Sequence, residues 1–590
     1  MDENFVKGPN PLEAPDIGRD LVPFFQRFYP GDEKRFWMLD TIHSPEPLYP
    51  LEYETSYFAL AEYADGVGTE INKVPTSHAN AFRVLNGWCY FSPVDITNAE
   101  EIGARAETYV KKVADVYPRW DQWLEETETR HMQAAEWLAS WDFETDPDLG
   151  DAAQTYSLVE RFDAVLAALC NSGAQHLENL VLVTGQKFAF TAICREIDPS
   201  TTDAQVDTMV QGFGNKLMET DAAFWKLGKR AMDLGIVGLI DGAGEHPSAA
   251  LAKDATGARW LEEVKQVVDE YGVRHVGGCY NLMPVCWQED LDYPISFIRG
   301  SISKIEKGEE LVPVDELVAV REAAIKEFVA KIQSEEQKKN FYDNLRLLQQ
   351  LYPWYENHNF LYEGLIGTRV HIKMIELGRR LVKEGYFDDP YDIGYFLLHE
   401  LRQLLFGLMH KRIEFSKDNL VDFRPMIEER KKIREKQKSW HAPVVLGLKP
   451  TSPPENPIAV YVYGALPSVI DRSFTDDAQW EEVVEITGLG AAPGVAEGVA
   501  RVVRDPSALK AVQSGEILVA GSTNPMWNPV LAKVKGVVTD SGGLLAHAAV
   551  ICREYGLPAV VGTAKATQAI KTGDYVTVDG TTGVVTIKRK

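Results

Sequence analysis

His547 stands where a glycine turn runs into an amphipathic segment, Thr539-Asp-Ser-Gly542-Gly543-Leu-Leu-Ala546-His547-Ala-Ala-Val-Ile-Cys-Arg553-Glu554-Tyr-Gly556-Leu-Pro558. Val537 and Val538 close a short apolar run that reads as a buried strand. Gly542 and Gly543 let the backbone turn sharply and approach a ligand. Residues 546–555 read as a helix, stopped by Gly556 and Pro558. A histidine in the first turn of a helix lies beside orphan N–H groups and the positive end of the helix dipole, which favour an anion. An imidazole in that position suits a nucleophile that takes up and holds a phosphoryl group. The competing reading of a lone histidine is a core residue capping a turn.

The neighbouring residues separate the two readings. The segment resembles the phosphohistidine domain of the phosphoenolpyruvate (PEP)-utilising enzymes at Thr539, Gly542, Gly543, His547, Ala548, Ala549, Arg553, Glu554, Gly556, Pro558 and Gly562. Ala546 departs from that family, which usually has Ser, Thr or Cys before the histidine. Two upstream stretches share the resemblance, Gly488-Leu-Gly-Ala-Ala-Pro-Gly494 continuing to Arg501, and Leu518-Val-Ala-Gly-Ser-Thr-Asn524-Pro525. The resemblance implies that His547 carries phosphate, with Thr539 and Arg553 as further catalytic residues. It also implies that the backbone at Gly542 and Gly543 binds the phosphate.

Short Val/Ile-rich runs separated by glycine turns must position this helix. Residues 499–503, 517–520, 537–539, 575–578 and 584–587 read as strands. The preceding chain is mostly helical in pattern: Ile325, Phe328, Val329 and Ile332 recur at helical spacing, followed by Phe341, Leu345, Leu348 and Tyr352. Residues 100–137 and 370–384 have the same character. The expected fold is α/β multidomain, a large mainly helical acceptor-binding body over 1–448 and a C-terminal β/β/α swivelling phosphohistidine domain over 488–590. Prolines and polar residues in 449–457 mark a linker running to 487, with a strand expected over 458–464.

Composition sets the class. The chain has 590 residues, 45% hydrophobic and 25% charged, ordinary for a globular protein of several domains. Its six cysteines are scattered without CxxC pairs, which fits a reducing compartment. Met1-Asp-Glu-Asn lacks an apolar leader and no apolar run is long enough to span a bilayer, so a cytoplasmic protein without membrane contact is expected. Residues 488–590 hold 11 Lys/Arg against 7 Asp/Glu, a net +4, leaving −30 on the rest out of −26 overall. An acidic body excludes nucleic acid as the expected partner.

Segments of the body, Gln211-Gly-Phe-Gly-Asn215 continuing to Trp225, Tyr271-Gly272-Val-Arg274 with Trp287-Gln-Glu289-Asp290, and Tyr391-Asp392 continuing to Leu401, resemble the substrate region of rifampin phosphotransferase and phenylphosphate synthase relatives. The barrel that follows the histidine domain in phosphoenolpyruvate synthase and pyruvate phosphate dikinase has no counterpart in the roughly 40 residues after His547. No G-x-x-x-x-G-K-[ST] loop and no segment resembling an ATP-grasp domain is present. The resemblance therefore implies a dikinase-type phosphotransferase component whose ATP and Mg²⁺ sit on a separate ATP-grasp subunit. The acceptor it implies is a small hydroxylated aromatic compound such as a phenol or hydroxyphenyl ketone.

Two stretches could bind that acceptor. Trp37, Asp40 and His43 combine a stacking face with a proton acceptor, and Trp354 with His358 could deprotonate a phenolic hydroxyl. An aromatic core segment with a hydrogen-bonded histidine explains either stretch equally well. His399-Glu400 is no HExxH site, because position 403 is Gln. A single-chain antibiotic or natural-product phosphotransferase, and a non-catalytic phosphohistidine regulatory subunit, remain alternatives.

Overall fold

The computed structural model describes the strand Phe5–Val6 and residues 30–589, apart from 57–62, 144–150, 243, 245, 273–280, 312–313, 415–421, 441, 453, 455–458, 461, 475–482, 505, 525–526 and 532. Arg274, Pro525 and the start of the expected strand at 458 lie outside the described residues. The chain forms two compact units, Met1–Asn179 with Gly277–Pro284 and Leu361–Thr451, and Leu180–Val276 with Val285–Phe360 and Ser452–Lys590.

The first unit pairs helices with a five-stranded sheet, in the order Phe5–Val6, Val445–Leu448, Phe36–Leu39, Trp88–Asp95 and Ser77–Leu85, with every neighbouring pair antiparallel. Leu85 pairs with Trp88, so Asn86 and Gly87 alone make the hairpin loop. Both have positive φ, 53° and 80°, the conformation in which Asn-Gly follows the right-handed twist of the strands. The helices include Ala99–Val116 and Trp120–Ala139, separated by a turn at Tyr117–Arg119 that contains Pro118. A proline there cannot continue the hydrogen-bond ladder of the preceding helix.

The second unit carries an eight-stranded sheet in the order Glu485–Thr487, Val584–Lys588, Tyr575–Asp579, Val495–Val503, Ile517–Ala520, Gly536–Thr539, Ala559–Val561 and Leu489–Ala492. The strands expected at 499–503, 517–520, 537–539, 575–578 and 584–587 all belong to it. Its centre is parallel, from Val495–Val503 through Ile517–Ala520 and Gly536–Thr539 to Ala559–Val561, so the loops leaving these strands gather at one end. Among the described residues of 458–464 no strand is formed. Residues 459–460 are helical, 462–463 turn, and Pro467–Ser473 is a helix opened by its proline.

The sheet does not stand apart from the helices before it, as a body, linker and carrier in chain order would. The helix Ala255–Tyr271, N-capped by Asp254, turns Trp260, Leu261, Val264 and Val268 inward at helical spacing. With Ile298 and Ile302 they join Val530, Val537, Ala549 and Cys552 in a single apolar cluster. That shared core joins helices within residues 224–302 to the C-terminal sheet. Ile298→Ala is therefore expected to lower the stability of the whole unit by about 2–5 kcal/mol. Urea unfolding with protease cleavage of the C-terminal sheet as the readout checks it: cleavage should begin at lower urea, together with loss of helical signal.

Candidate active site

His547 is the first residue of the helix His547–Glu554, reached from the strand Gly536–Thr539 through the glycine turn. Gly542 has φ 114°, a backbone conformation that disfavours any side chain. The segment before Pro467–Ser473 closes on this turn. A Cβ at Gly464 would lie 2.5 Å from the Gly542 carbonyl oxygen, and the Gly543 N–H donates to the Val462 carbonyl at 2.9 Å. The Thr539 hydroxyl donates to the Ser541 carbonyl at 2.8 Å. Thr539, Gly542 and Gly543 thus shape the loop, and in this structure the Gly543 amide is taken by the protein itself.

The His547 ring is largely buried, and its Nδ1 lies 2.8 Å from the Thr523 hydroxyl. When Nδ1–H donates to Thr523 Oγ1, the lone pair resides on Nε2, which is then the nucleophilic nitrogen. Sequence reasoning noted the stretch holding Thr523 without giving that residue a role. The signal was topological: Ile517–Ala520 and Gly536–Thr539 are parallel neighbours, so the loops that follow them lie side by side.

Arg553 does not face outward as a free phosphate ligand. Its Nη1 donates to the Ala491 carbonyl at 3.1 Å and its Nη2 to the Leu544 carbonyl at 2.7 Å, while Nη2 also lies 3.2 Å from Asp207. Asp207 in turn pairs with the buried Lys187. The next two residues reach the same stretch of helices. Glu554 accepts from the Asn215 amide at 3.1 Å, and the Tyr555 hydroxyl donates to Asp221. Asn215 also caps the helix Lys216–Asp233, its side chain accepting from Met218 N–H, so the amide is held at both ends. Burial pushes the Glu554 carboxyl above its ordinary value, with Asp221 acting in the same direction against the Asn215 hydrogen bond and Arg553.

The structure brings one of the two acceptor candidates to the His547 loop. The Tyr355 hydroxyl donates to the Leu545 carbonyl at 2.9 Å. Trp354 stacks on His358 with centroids 4.8 Å apart, and Tyr355 meets the same imidazole edge-on at 5.6 Å. His358 is buried at the end of the helix Glu335–His358, where a seven-residue π-helical stretch, Asn359–Leu365, begins. The other candidate lies in the first unit. Trp37 is fully buried in its sheet, its indole N–H donating to the Asp32 carbonyl at 2.8 Å, so it is a core aromatic and not an open stacking face. Buried Asp40 holds His43, with Nδ1 to Oδ2 at 3.0 Å.

Residues 512–583 match the family described as PEP-utilising enzyme, mobile domain, and residues 175–359 the rifampicin phosphotransferase fourth domain. Among curated proteins the chain is similar to the uncharacterized phosphotransferase YvkC of Bacillus subtilis, 24% identical over 73% of this chain and 49% of that protein. Chondramide synthase cmdD of Chondromyces crocatus is 28% identical over 95% of this chain and 14% of its own length. The rifampicin phosphotransferase of Bacillus cereus is 28% identical over 55% of this chain and 35% of its own. The chain thus spans no more than half the length of these relatives. It is a relative of the PEP-utilising phosphotransferases, an enzyme family, and carries their mobile domain.

The buried Glu554 has a pH signature. Its folded-state pKa lies above the unfolded value near 4.5, so the folded unit binds the extra proton. Stability should fall as pH rises from that value through the raised one, because the unfolded chain gives up the proton first. Urea midpoints measured between pH 4 and 9 should show this slope, and Glu554→Gln should flatten it.

Proposed function

We propose that this chain is the carrier and acceptor component of a dikinase-type phosphotransferase. Phosphate is carried on His547 Nε2 and passed to the hydroxyl of a small, phenolic compound. The observation that carries this reading is the 2.8 Å contact between His547 Nδ1 and Thr523 at the start of a helix. With Nδ1–H donating to the Thr523 hydroxyl, the other ring nitrogen is the nucleophile, where the helix dipole favours the incoming anion.

ATP and Mg²⁺ are assigned to a separate ATP-grasp subunit, the arrangement that the resemblance to phenylphosphate synthase relatives implies. In the acceptor half-reaction the P–N bond to Nε2 breaks as the acceptor oxygen forms the new P–O bond. The hydroxyl proton passes to a base, for which His358 is the proposed residue, and Nε2 regains its lone pair. The aromatic rings around His358 support a flat acceptor. The match of 175–359 to a rifampicin phosphotransferase domain supports an acceptor role for the helices that carry it.

Intact-mass analysis after incubation with ATP-Mg²⁺, alone and with lysate of the native host, tests the scheme. Acid-labile phosphate is expected only with lysate and not on His547→Ala. Phosphorylation by ATP alone would replace the scheme with a single-chain kinase. Phosphate that no phenol discharges would favour a regulatory subunit. Thr523→Val should slow phosphorylation about tenfold, the effect of losing roughly one orienting hydrogen bond.

A further inference from the structure

Residues 462–466 cross the glycine turn that leads to His547, and they lie outside both family-matched stretches. The Val462 carbonyl accepts from the Gly543 N–H at 2.9 Å. Gly464, with φ 75°, comes so near that a Cβ there would sit 2.5 Å from the Gly542 carbonyl oxygen and 3.0 Å from Gly543 N. The segment also closes on itself. Ala465 N–H donates to the Ala459 carbonyl at 2.9 Å, and Leu466 N–H to the Gly464 carbonyl at 2.7 Å.

The helix Pro467–Ser473 that follows is a fixed post. Its Val469 and Ile470 are buried, and a Cβ at Gly562 would meet Val469 Cγ2 at 3.2 Å. Arg472 Nη2 donates to the Gly562 carbonyl at 3.1 Å. The post therefore packs on the loop after Ala559–Val561, while 462–466 reach across to the loop after Gly536–Thr539. The two attachments differ in kind. The post is held by apolar burial, which water cannot replace. The span meets Gly543 through a neutral backbone hydrogen bond, and an anion's oxygen makes a shorter and stronger bond to the same N–H. One amide hydrogen cannot serve both acceptors well.

We propose that residues 462–466 are an autoinhibitory strap, which closes on the Gly543 amide and lifts from it when a phosphoryl group takes that donor. The proposal rests on the reading of His547 as the phosphate carrier. With no anion at the turn, the strap keeps a buried amide paired. Closure and anion binding exclude each other, so each opposes the other by the same factor. The apparent affinity for the anion is then the open-state affinity reduced by the closed fraction.

Inorganic phosphate, titrated into the full chain by calorimetry, tests this. Gly464→Ala places a methyl against Gly542 backbone at a φ that disfavours it, so the strap is unseated. Phosphate is expected to bind this variant about tenfold tighter than the wild type, the scale of one released hydrogen bond. Damage to the turn itself would weaken binding instead. The same ratio is expected in a His547→Ala background, so loss of phosphorylation at His547 and failure of the strap are read separately. In the wild type, saturating phosphate should speed hydrogen exchange at the Ala465 and Leu466 amides, and this measurement decides if Gly464→Ala folds poorly. Equal or weaker phosphate binding by a folded Gly464→Ala, no phosphate binding to either protein, or unchanged exchange over 462–466 would each overturn the proposal.

Discussion

One guanidinium holds the geometry of the site together. Arg553 sits in the last turn of the helix that His547 opens, and it ties that helix to Leu544 in the preceding loop and to Ala491 on an edge strand. Without those bonds two carbonyls would lose their side-chain partner, and the link between the helix, its loop and the edge strand would be lost. The same group lies against Asp207, which pairs with Lys187, so its charge is compensated where water is scarce. Arginine suits the task because its planar fork offers several donors at once; lysine presents a single point charge. In this structure the guanidinium joins helix, loop and edge strand.

The contacts around Arg553 are polar, yet they border an apolar core that the sheet shares with the helices. A mobile domain that leaves such a surface exposes both. The polar groups can then exchange protein partners for water at small net cost, whereas the apolar ones cannot. Glu554 belongs to the first class and is the costly member of it, since burial disfavours its charged form. The Arg553–Glu554–Tyr555 run, matched by Asp207, Asn215 and Asp221, thereby supplies register to an interface whose affinity comes from the apolar contacts beside it.

How much of this was legible in the sequence depended on the range of the interaction. The histidine helix and five strands of the C-terminal sheet are local patterns, and glycine turns mark their ends. The first unit's hairpin was equally local, since Asn86-Gly87 between two apolar runs is a strong turn signal, but the helical character of the flanking chain masked it. The run Ala-Val-Tyr-Val-Tyr-Gly at 459–464 misled in the opposite sense: its β-branched and aromatic residues are ones strands favour, but here a turn packs against Gly542, and Gly464 is required by closeness, not by hairpin geometry. The pairing of Arg553 with Asp207, and the sharing of one core between 255–302 and 530–552, join residues hundreds of positions apart. No periodicity encodes such contacts.

The departure at Ala546 shows how a missing side chain can be read. A Ser or Thr at that position, the N-cap of the helix, would turn its oxygen onto an N–H of the first turn. Ala546 makes no such bond, and only its own carbonyl closes back on Ala549 and Val550. The amide of Ala548 is therefore left without a side-chain competitor at the end of the helix where an anion is favoured. The hydroxyl that orients the imidazole comes from Thr523 on the neighbouring parallel strand's loop, at a position set by sheet register. Orientation of the ring and reception of the anion are thus divided between two elements, and losing a hydroxyl next to the histidine removes neither.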